Sequence, residues 1–246
     1  MTNLHVTPSE VDVGDTITIS VEVENVGDGK GAYTVSVNCG GERLNKEVTL
    51  VPQEKKVVFL EYTVCTIEDF KIGVAGEPLE TTIKVKRDKL EEIKTIRVVI
   101  EESYPEIKKR FSLRSFYYYT CKKTLESKGF TVVSEEASQY DATLFVEIEG
   151  HALSTQYSSS GSTLYTLPQT LYTGAKINIT FSLSVLDCGV IKKEEFSEEK
   201  SCPETVYVHV NEIGFATEYT NPSDAPFKEV HWEQDLIVFI NDIWGR

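Results

Sequence analysis

"GDTITISVEVENVGDGKGAYTVSV", residues 14–37, alternates between apolar and polar side chains, breaks at a glycine-rich turn and alternates again. Ile17, Ile19, Val21 and Val23 fall on one side, and Thr16, Thr18, Ser20, Glu22 and Glu24 on the other. A period of two that separates apolar from polar residues marks an antiparallel strand with one buried face. "NVGDGKG" then offers Asn and Gly for turn positions of positive φ. Tyr33, Val35, Val37 and Cys39 resume the inward series.

Downstream, "EVTLVPQEKKVVFLEYTV" predicts two strands around a Pro-containing turn, with Val58, Leu60, Tyr62 and Val64 inward. "FKIGVAGEPLETTIKVK" predicts a last pair. Short strands recurring between closely spaced turns indicate an all-β immunoglobulin-like sandwich. The stretch "VGDTITISVEVENVGDGKGAYTVSVNCGGERLNKEVTLVPQEKKVVFLEYTV" resembles the CARDB-type domains, adhesion-related sandwiches of bacteria and archaea. The resemblance lies in the "GDTITISVEVENVG" strand and turn, the "GGE" hairpin and the "LVPQEKKVVFLEY" turn and strand. It implies a spacer or adhesion module without catalytic residues, carried on an extracytoplasmic protein.

A chain of 246 residues exceeds the usual single-domain size, so two domains are expected. The boundaries expected are a sandwich over 1–88, a short charged linker over 89–94 and an α+β domain over 95–246. The formal net charge of -14 is shared between the two parts and disfavours nucleic acid or an anionic membrane as partner. No run reaches the length of apolar residues that a membrane-spanning helix needs. "MTNLHVTPSE" lacks the basic and apolar regions of a signal peptide. The location expected is therefore extracytoplasmic, at the cell surface or envelope, with a leader or anchor removed upstream; a cytoplasmic protein is the alternative.

In the second part, "TIRVVIEE" predicts a strand with Ile96, Val98 and Ile100 on one face. Ser112 is placed to cap a helix that runs to Gly129, with Leu113, Phe116, Tyr117, Thr120, Cys121 and Leu125 on its buried face. "FTVVSEE" and "YDATLFVEIEG" predict strands, the latter with Ala142, Leu144, Val146 and Ile148 inward. "AKINITFSLSVLDCGVIKKEEFSE" predicts a long hairpin turning at "LDCG". A closing helix from about Asp224 would bury Phe227, Val230, Ile237, Ile240 and Trp244. The sum is α+β, with two main helices on a mainly antiparallel sheet. The order helix, "GFTVV", "YDATLFVEI", "SLSVLDCGVI" resembles small α+β domains of cell-envelope lipoproteins, such as the N-terminal domain of the Tol-system propeller protein and the activators of penicillin-binding proteins. That resemblance implies work through protein–protein contacts.

Five cysteines leave at least one unpaired. Cys39–Cys65 and Cys188–Cys202 are the candidate bridges. Strand parity opposes the first, since Cys39 shares a face with Val35 and Val37 whereas Cys65 alternates out of phase with Val64. Cys121 reads as a small buried hydrophobe. The four histidines, His5, His151, His209 and His231, are scattered outside any metal-ligand spacing, so neither a metal nor a cofactor is expected. "YSSSGST" is not a nucleophile elbow, because Tyr157 stands where the first glycine belongs. Asn178 heads an Asn-Ile-Thr sequon and is a candidate for glycosylation.

"GHALSTQYSSSGSTLYTLPQTLYTGA", residues 150–175, is rich in Ser and Thr and nearly free of charge. A long excursion of this kind is commonly functional, and Tyr gives large contact area at low entropic loss. Tyr157, Tyr165 and Tyr172 are its candidate anchors for a protein or cell-surface partner. The function expected is a non-enzymatic adhesion or scaffold protein acting through protein–protein contacts. The alternatives are a carbohydrate-binding surface protein using exposed tyrosines, and an enzyme with a dispersed site.

Overall fold

The computed structural model describes the backbone of residues 1–103, 112–157, 169–186, 188–209, 218–219 and 232–245, and their side chains except at 152–157, 169–175, 200–209 and 218–219. The protein is mostly β, with several sheets and two helices among the described residues. It divides into two compact units: Met1–Ile93 with Ser184–Lys192, and Lys94–Leu183 with Lys193–Arg246.

The first unit holds β1 (Leu4–Thr7), β2 (Glu10–Asp12), β3 (Thr16–Glu24), β4 (Gly31–Cys39), β5 (Glu42–Leu50), β6 (Lys55–Thr63), β7 (Phe70–Val74) and β8 (Glu80–Lys86). They form a three-stranded sheet ordered β1-β3-β6 and a five-stranded sheet ordered β2-β8-β7-β4-β5. Inward residues of both sheets make one core, in which Ile17, Ile19, Val21, Val35, Val37, Ile72 and Ile83 are shielded from solvent. Each such side chain contributes roughly 1.5–3 kcal/mol by leaving water. Tyr33 departs from the expected alternation and stands exposed, because β4 begins with four residues that the core does not cover.

The turns are solved differently from what glycine content alone suggests. The β4–β5 hairpin places Gly40 and Gly41 both at positive φ, as a two-residue turn matching the strand twist requires. In "NVGDGKG", by contrast, no glycine adopts positive φ, and the Asn25 side chain holds the turn. Its Nδ2 donates to the carbonyls of Gly29 (2.8 Å) and Leu50 (3.2 Å), and its Oδ1 accepts from Gly27 N–H at 3.0 Å. The segment expected as a linker is a 3-10 turn, Asp88–Glu92, with Leu90 and Ile93 buried. Its Lys89 N–H donates to the Asp12 carboxylate, while Lys89 Nζ meets Asp15 Oδ1 at 2.6 Å. The chain thus first passes from one unit to the other between Ile93 and Lys94.

Both candidate cysteine pairings are corrected. Cys65 is bridged to Cys188, with Cα atoms 5.4 Å apart. Cys39 is a free thiol buried in the core with Val35 and Val37, on the side of its strand that parity assigns. Cys188–Cys202 fails on length. Cys188 lies in the turn before β13 (Gly189–His209), and Cys202 sits far along that strand. At about 3.3 Å rise per residue the two are on the order of 40 Å apart.

The second unit contains β9 (Thr95–Ser103), α1 (Arg114–Ser127), β10 (Thr131–Val133), β11 (Ala142–Tyr157), most of β12 (Gln169–Val185) and of β13, β14 (Glu218–Tyr219) and α2 (Glu233–Ile243). Its sheet is ordered β10-β9-β11-β12-β13-β14. β9 pairs in parallel on both sides, with β10 and with β11, while β13 pairs antiparallel with β14, so the sheet mixes both directions. Parallel neighbours need a crossover, and α1 supplies it between β9 and β10. Ile96, Val98, Ile100, Ala142, Leu144, Val146, Ile148, Ile177, Ile179, Phe181 and Leu183 bury one face as their alternation predicts. α1 ends at Gly129, whose φ of 92° lets Phe130 N–H return to the Leu125 carbonyl at 3.2 Å. Of α1's expected buried face only Phe116 departs, at 37 % exposure. α2 buries Leu236, Phe239, Ile240 and Ile243. Phe227 and Val230, expected on the same stripe, lie outside the described residues.

Candidate functional site

Strand pairing consumes much of the excursion read at 150–175. β11 continues to Tyr157 and β12 begins at Gln169, so Tyr157 closes one strand and Tyr172 lies within the next. Tyr165 falls outside the described residues, as do the side chains of Tyr157 and Tyr172, and their role as anchors is therefore carried forward as a proposal. Asn178 lies on β12, half-buried, and its Oδ1 accepts from Ser197 Oγ of β13 at 2.7 Å.

The aromatic run on α1 divides by helical spacing. Tyr117 enters the core between Phe116 and Phe181, and Phe181 in turn contacts Phe239 and Phe196. Its hydroxyl accepts from Trp232 N–H at 3.3 Å, and burial pushes the phenol up to about 12. Tyr119, two positions on, is 67 % exposed and shares an edge of the helix with Phe116. Upstream, Ser112 Oγ accepts from Arg114 N–H at 3.3 Å and donates to Glu102 at 2.6 Å. Glu102 also accepts from Leu113 N–H, so a carboxylate of β9 stabilises the positive end of the helix.

The thiols and carboxyls whose acidity is displaced all have structural causes. Burial pushes the Cys39 thiol up to about 11 and the Cys121 thiol up to about 12, which suppresses the thiolate and its nucleophilicity. Asp15 is held below its ordinary value by Lys89 and by the Asp12 N–H. Asp141 is likewise lowered by the backbone N–H groups of Lys94 and Thr95, which its Oδ2 accepts at 2.9 and 2.8 Å. Among the described residues no three His, Cys, Asp or Glu side chains are arranged to hold a metal ion. No described helix is long and apolar enough to cross a membrane.

Two hollows stand out among the described residues of the first unit. One, about 280 Å³, is lined by Val23–Gly27, Gly31–Tyr33, Leu50 and Glu77 at the end of the β3–β4 turn. The other is an open groove of about 510 Å³ between Leu44–Lys46 of β5 and Phe59–Glu61 of β6. Phe59 and Val57 stand on the outer face of β6, 55 % and 45 % exposed. The run "KKVVFLEY" carried that signal, since it is apolar at both parities where "TITISVEVE" is apolar at one.

No family model and no curated protein matches the chain. Among solved structures it is similar to a cycloisomaltooligosaccharide glucanotransferase of Paenibacillus sp., in complex with cycloisomaltoheptaose, at 18 % identity and a TM-score of 0.31. That match covers 44 % of this chain and 16 % of the glucanotransferase. It is similar also to a neuraminyllactose-binding hemagglutinin homolog of Helicobacter pylori, at 10 % identity and a TM-score of 0.32, over 61 % of this chain and 81 % of that one. Likenesses of this size carry no functional argument.

Proposed function

We propose that the protein is a non-enzymatic extracytoplasmic adhesion or scaffold protein. In this reading the first unit is an immunoglobulin-like sandwich of CARDB type, and the second is an α+β domain that engages a protein or cell-surface partner. The observation that carries the location is the Cys65–Cys188 bridge, since such bridges form and persist in oxidising compartments. The two free thiols that are described are both buried and protonated, which suits a chain exposed to oxidants. Two sheets around one aliphatic core support the sandwich assignment. Tyr157, Tyr165 and Tyr172 are its proposed contacts.

Peptide mapping under non-reducing conditions, on protein taken from fractionated native cells, tests this reading. It requires a cross-linked Cys65–Cys188 peptide recovered from the envelope or surface fraction. Recovery of both cysteines as free thiols from the cytosol would reject it. A carbohydrate-binding reading has one observation in its favour, the exposed Tyr119 beside Phe116 on α1. Glycan-array binding abolished by Tyr119→Ser would move the assignment there.

A further inference from the structure

β6 is the edge of its sheet and is nine residues long. The described edge strands β1, β2, β10 and β14 are no longer than four residues. The other long edge, β5, exposes only polar side chains, Glu42, Arg43, Asn45, Lys46, Glu47 and Thr49. β6 instead presents Lys55, Val57, Phe59, Glu61 and Thr63, so two exposed apolar side chains lie between opposite charges. Val58 and Leu60 face the core from the other side of the strand.

The free main-chain groups are those of the same odd-numbered residues. Val64 exchanges backbone hydrogen bonds with Gly14 and Asp15, which sets the even positions toward β3. The Phe59 carbonyl points the opposite way and accepts from Lys46 Nζ at 2.7 Å, across the open groove. A lysine laid over an edge is a common guard against indiscriminate strand addition. Its flexible stem can swing away when a strand with matching groups arrives.

The geometry points to β6 as a strand-addition site for β6 of a second copy of this chain, antiparallel and centred on Val58. In that register Val57 of one copy lies opposite Phe59 of the other, twice over. Lys55 lies opposite Glu61 of the other copy, also twice. Apolar and opposite-charge pairs directly across strands are the stabilising combinations. Centring on Phe59 would oppose Val57 to Glu61 and Lys55 to Thr63, losing both. The strand is thus self-complementary in a single register, which selects a copy of itself over an unrelated extended peptide. Phe59 C=O would accept from Val57 N–H of the second copy in place of Lys46. The proposal stands apart from the extracytoplasmic reading.

One strand pair covers less area than a standard stable interface, so a weak dimer is expected, and sedimentation velocity is run from about 5 to 500 µM. The native protein should shift toward dimer across that range. Glu61→Lys should weaken the dimer about tenfold by facing Lys55 of the other copy with a like charge, and Lys55→Glu/Glu61→Lys should restore it when Glu24→Gln relieves the neighbour that Lys55 meets within its own sheet at 3.2 Å. Mixing Val57→Cys with Phe59→Cys protein should give a disulfide-linked dimer that neither variant forms alone. A native protein that stays monomeric throughout, or a charge-swapped variant that fails to recover, overturns the assignment.

Discussion

The first unit fills its core with aliphatic side chains from two sheets, Ile17, Ile19, Val21, Val35, Val37, Ile72 and Ile83, whereas the second sets the rings of Tyr117, Phe181 and Phe239 among sheet and helices. Strand alternation delivers short β-branched residues at every second position, and these interdigitate between sheets. Rings span a larger gap with fewer residues, and concentrate the packing in fewer contacts. Tyr117 adds a buried hydroxyl, which the Trp232 N–H satisfies. A distributed core and a concentrated one should therefore respond differently to the same insult.

Truncating the concentrated core should cost the most. Phe181→Ala removes a fully buried ring that contacts three others and is expected to destabilise by about 3–5 kcal/mol, against about 2–5 kcal/mol for Ile19→Ala, whose aliphatic neighbours close in more readily. Urea denaturation of both variants checks the order. If Ile19→Ala proves the more damaging, the ring cluster is not the focus of the second core.

The disulfide comes next and touches the first unit alone. The bridge closes a sequence separation of 123 residues, for which loop-closure entropy predicts close to the upper end of a range of about 2–5 kcal/mol. Cys188→Ser should lower stability by that amount, and Cys65→Ser/Cys188→Ser equally. A double variant as stable as the native protein in oxidising buffer would mean that the bridge constrains nothing.

Alkali should separate the units again. Each buried acid has its folded value raised, so its stabilising effect is complete below the unfolded value and is lost as pH rises toward the folded one. The first unit carries Cys39, raised from 9.0 to about 11, and the half-buried Tyr62, raised by burial; the second carries Cys121, raised from 9.0 to about 12, and Tyr117, raised from 10.0 to about 12, so both of its acids stay protonated furthest into alkali. Between pH 10 and 11 each group that ionises only on unfolding removes about 1.4 kcal/mol per unit. The second unit should lose stability more steeply there, and Cys121→Ala should flatten its slope. An unchanged slope in Cys121→Ala would show that the thiol is not shielded.

How far the sequence reveals these features follows from the range of each interaction. Period-two alternation fixed the inward faces of β3, β9, β11 and β12, because burial of a sheet face acts on neighbouring residues. The same parity placed Cys39 inward and set Cys65 apart from it. It could not name Cys188, since a pairing between a turn and a strand end far away leaves no local trace. The parallel neighbours of β9 were equally hidden, because parallel and antiparallel strands share one hydrophobic period. At "NVGDGKG" the glycines advertise positive φ, while the Asn25 amide makes the turn through bonds to Gly29 of its own loop and to Leu50 at the end of β5. For the candidate site the composition of 150–175 suggested a long loop, yet Ser, Thr and Tyr are also good strand residues, and β11 and β12 run well into it.

The smallest effect compares two carboxylates at the ends of the passage between units, Asp15 in the first and Asp141 in the second. Asp141 accepts two backbone N–H groups and the Thr95 hydroxyl at 2.8–2.9 Å, whereas Asp15 relies first on the Lys89 ammonium, with the Asp12 N–H second. Both acidities are lowered in the folded protein, so each contributes stability above its unfolded value near 3.8 that disappears as pH falls through the folded one. Lys89 and Asp15 are 49 % and 42 % exposed, so water and salt screen the pair and Asp15→Asn should cost under about 1 kcal/mol at neutral pH. The loss should shrink in high salt and vanish once pH falls below the lowered native value, where the native carboxyl is also protonated. Asp141→Asn should cost more and be nearly insensitive to salt, because backbone hydrogen bonds rather than a mobile ammonium hold it. Thermal melts of the two variants at low and high ionic strength measure this directly. Equal salt sensitivity in both would mean that the net charge of the passage, not the local bonds, sets their stability.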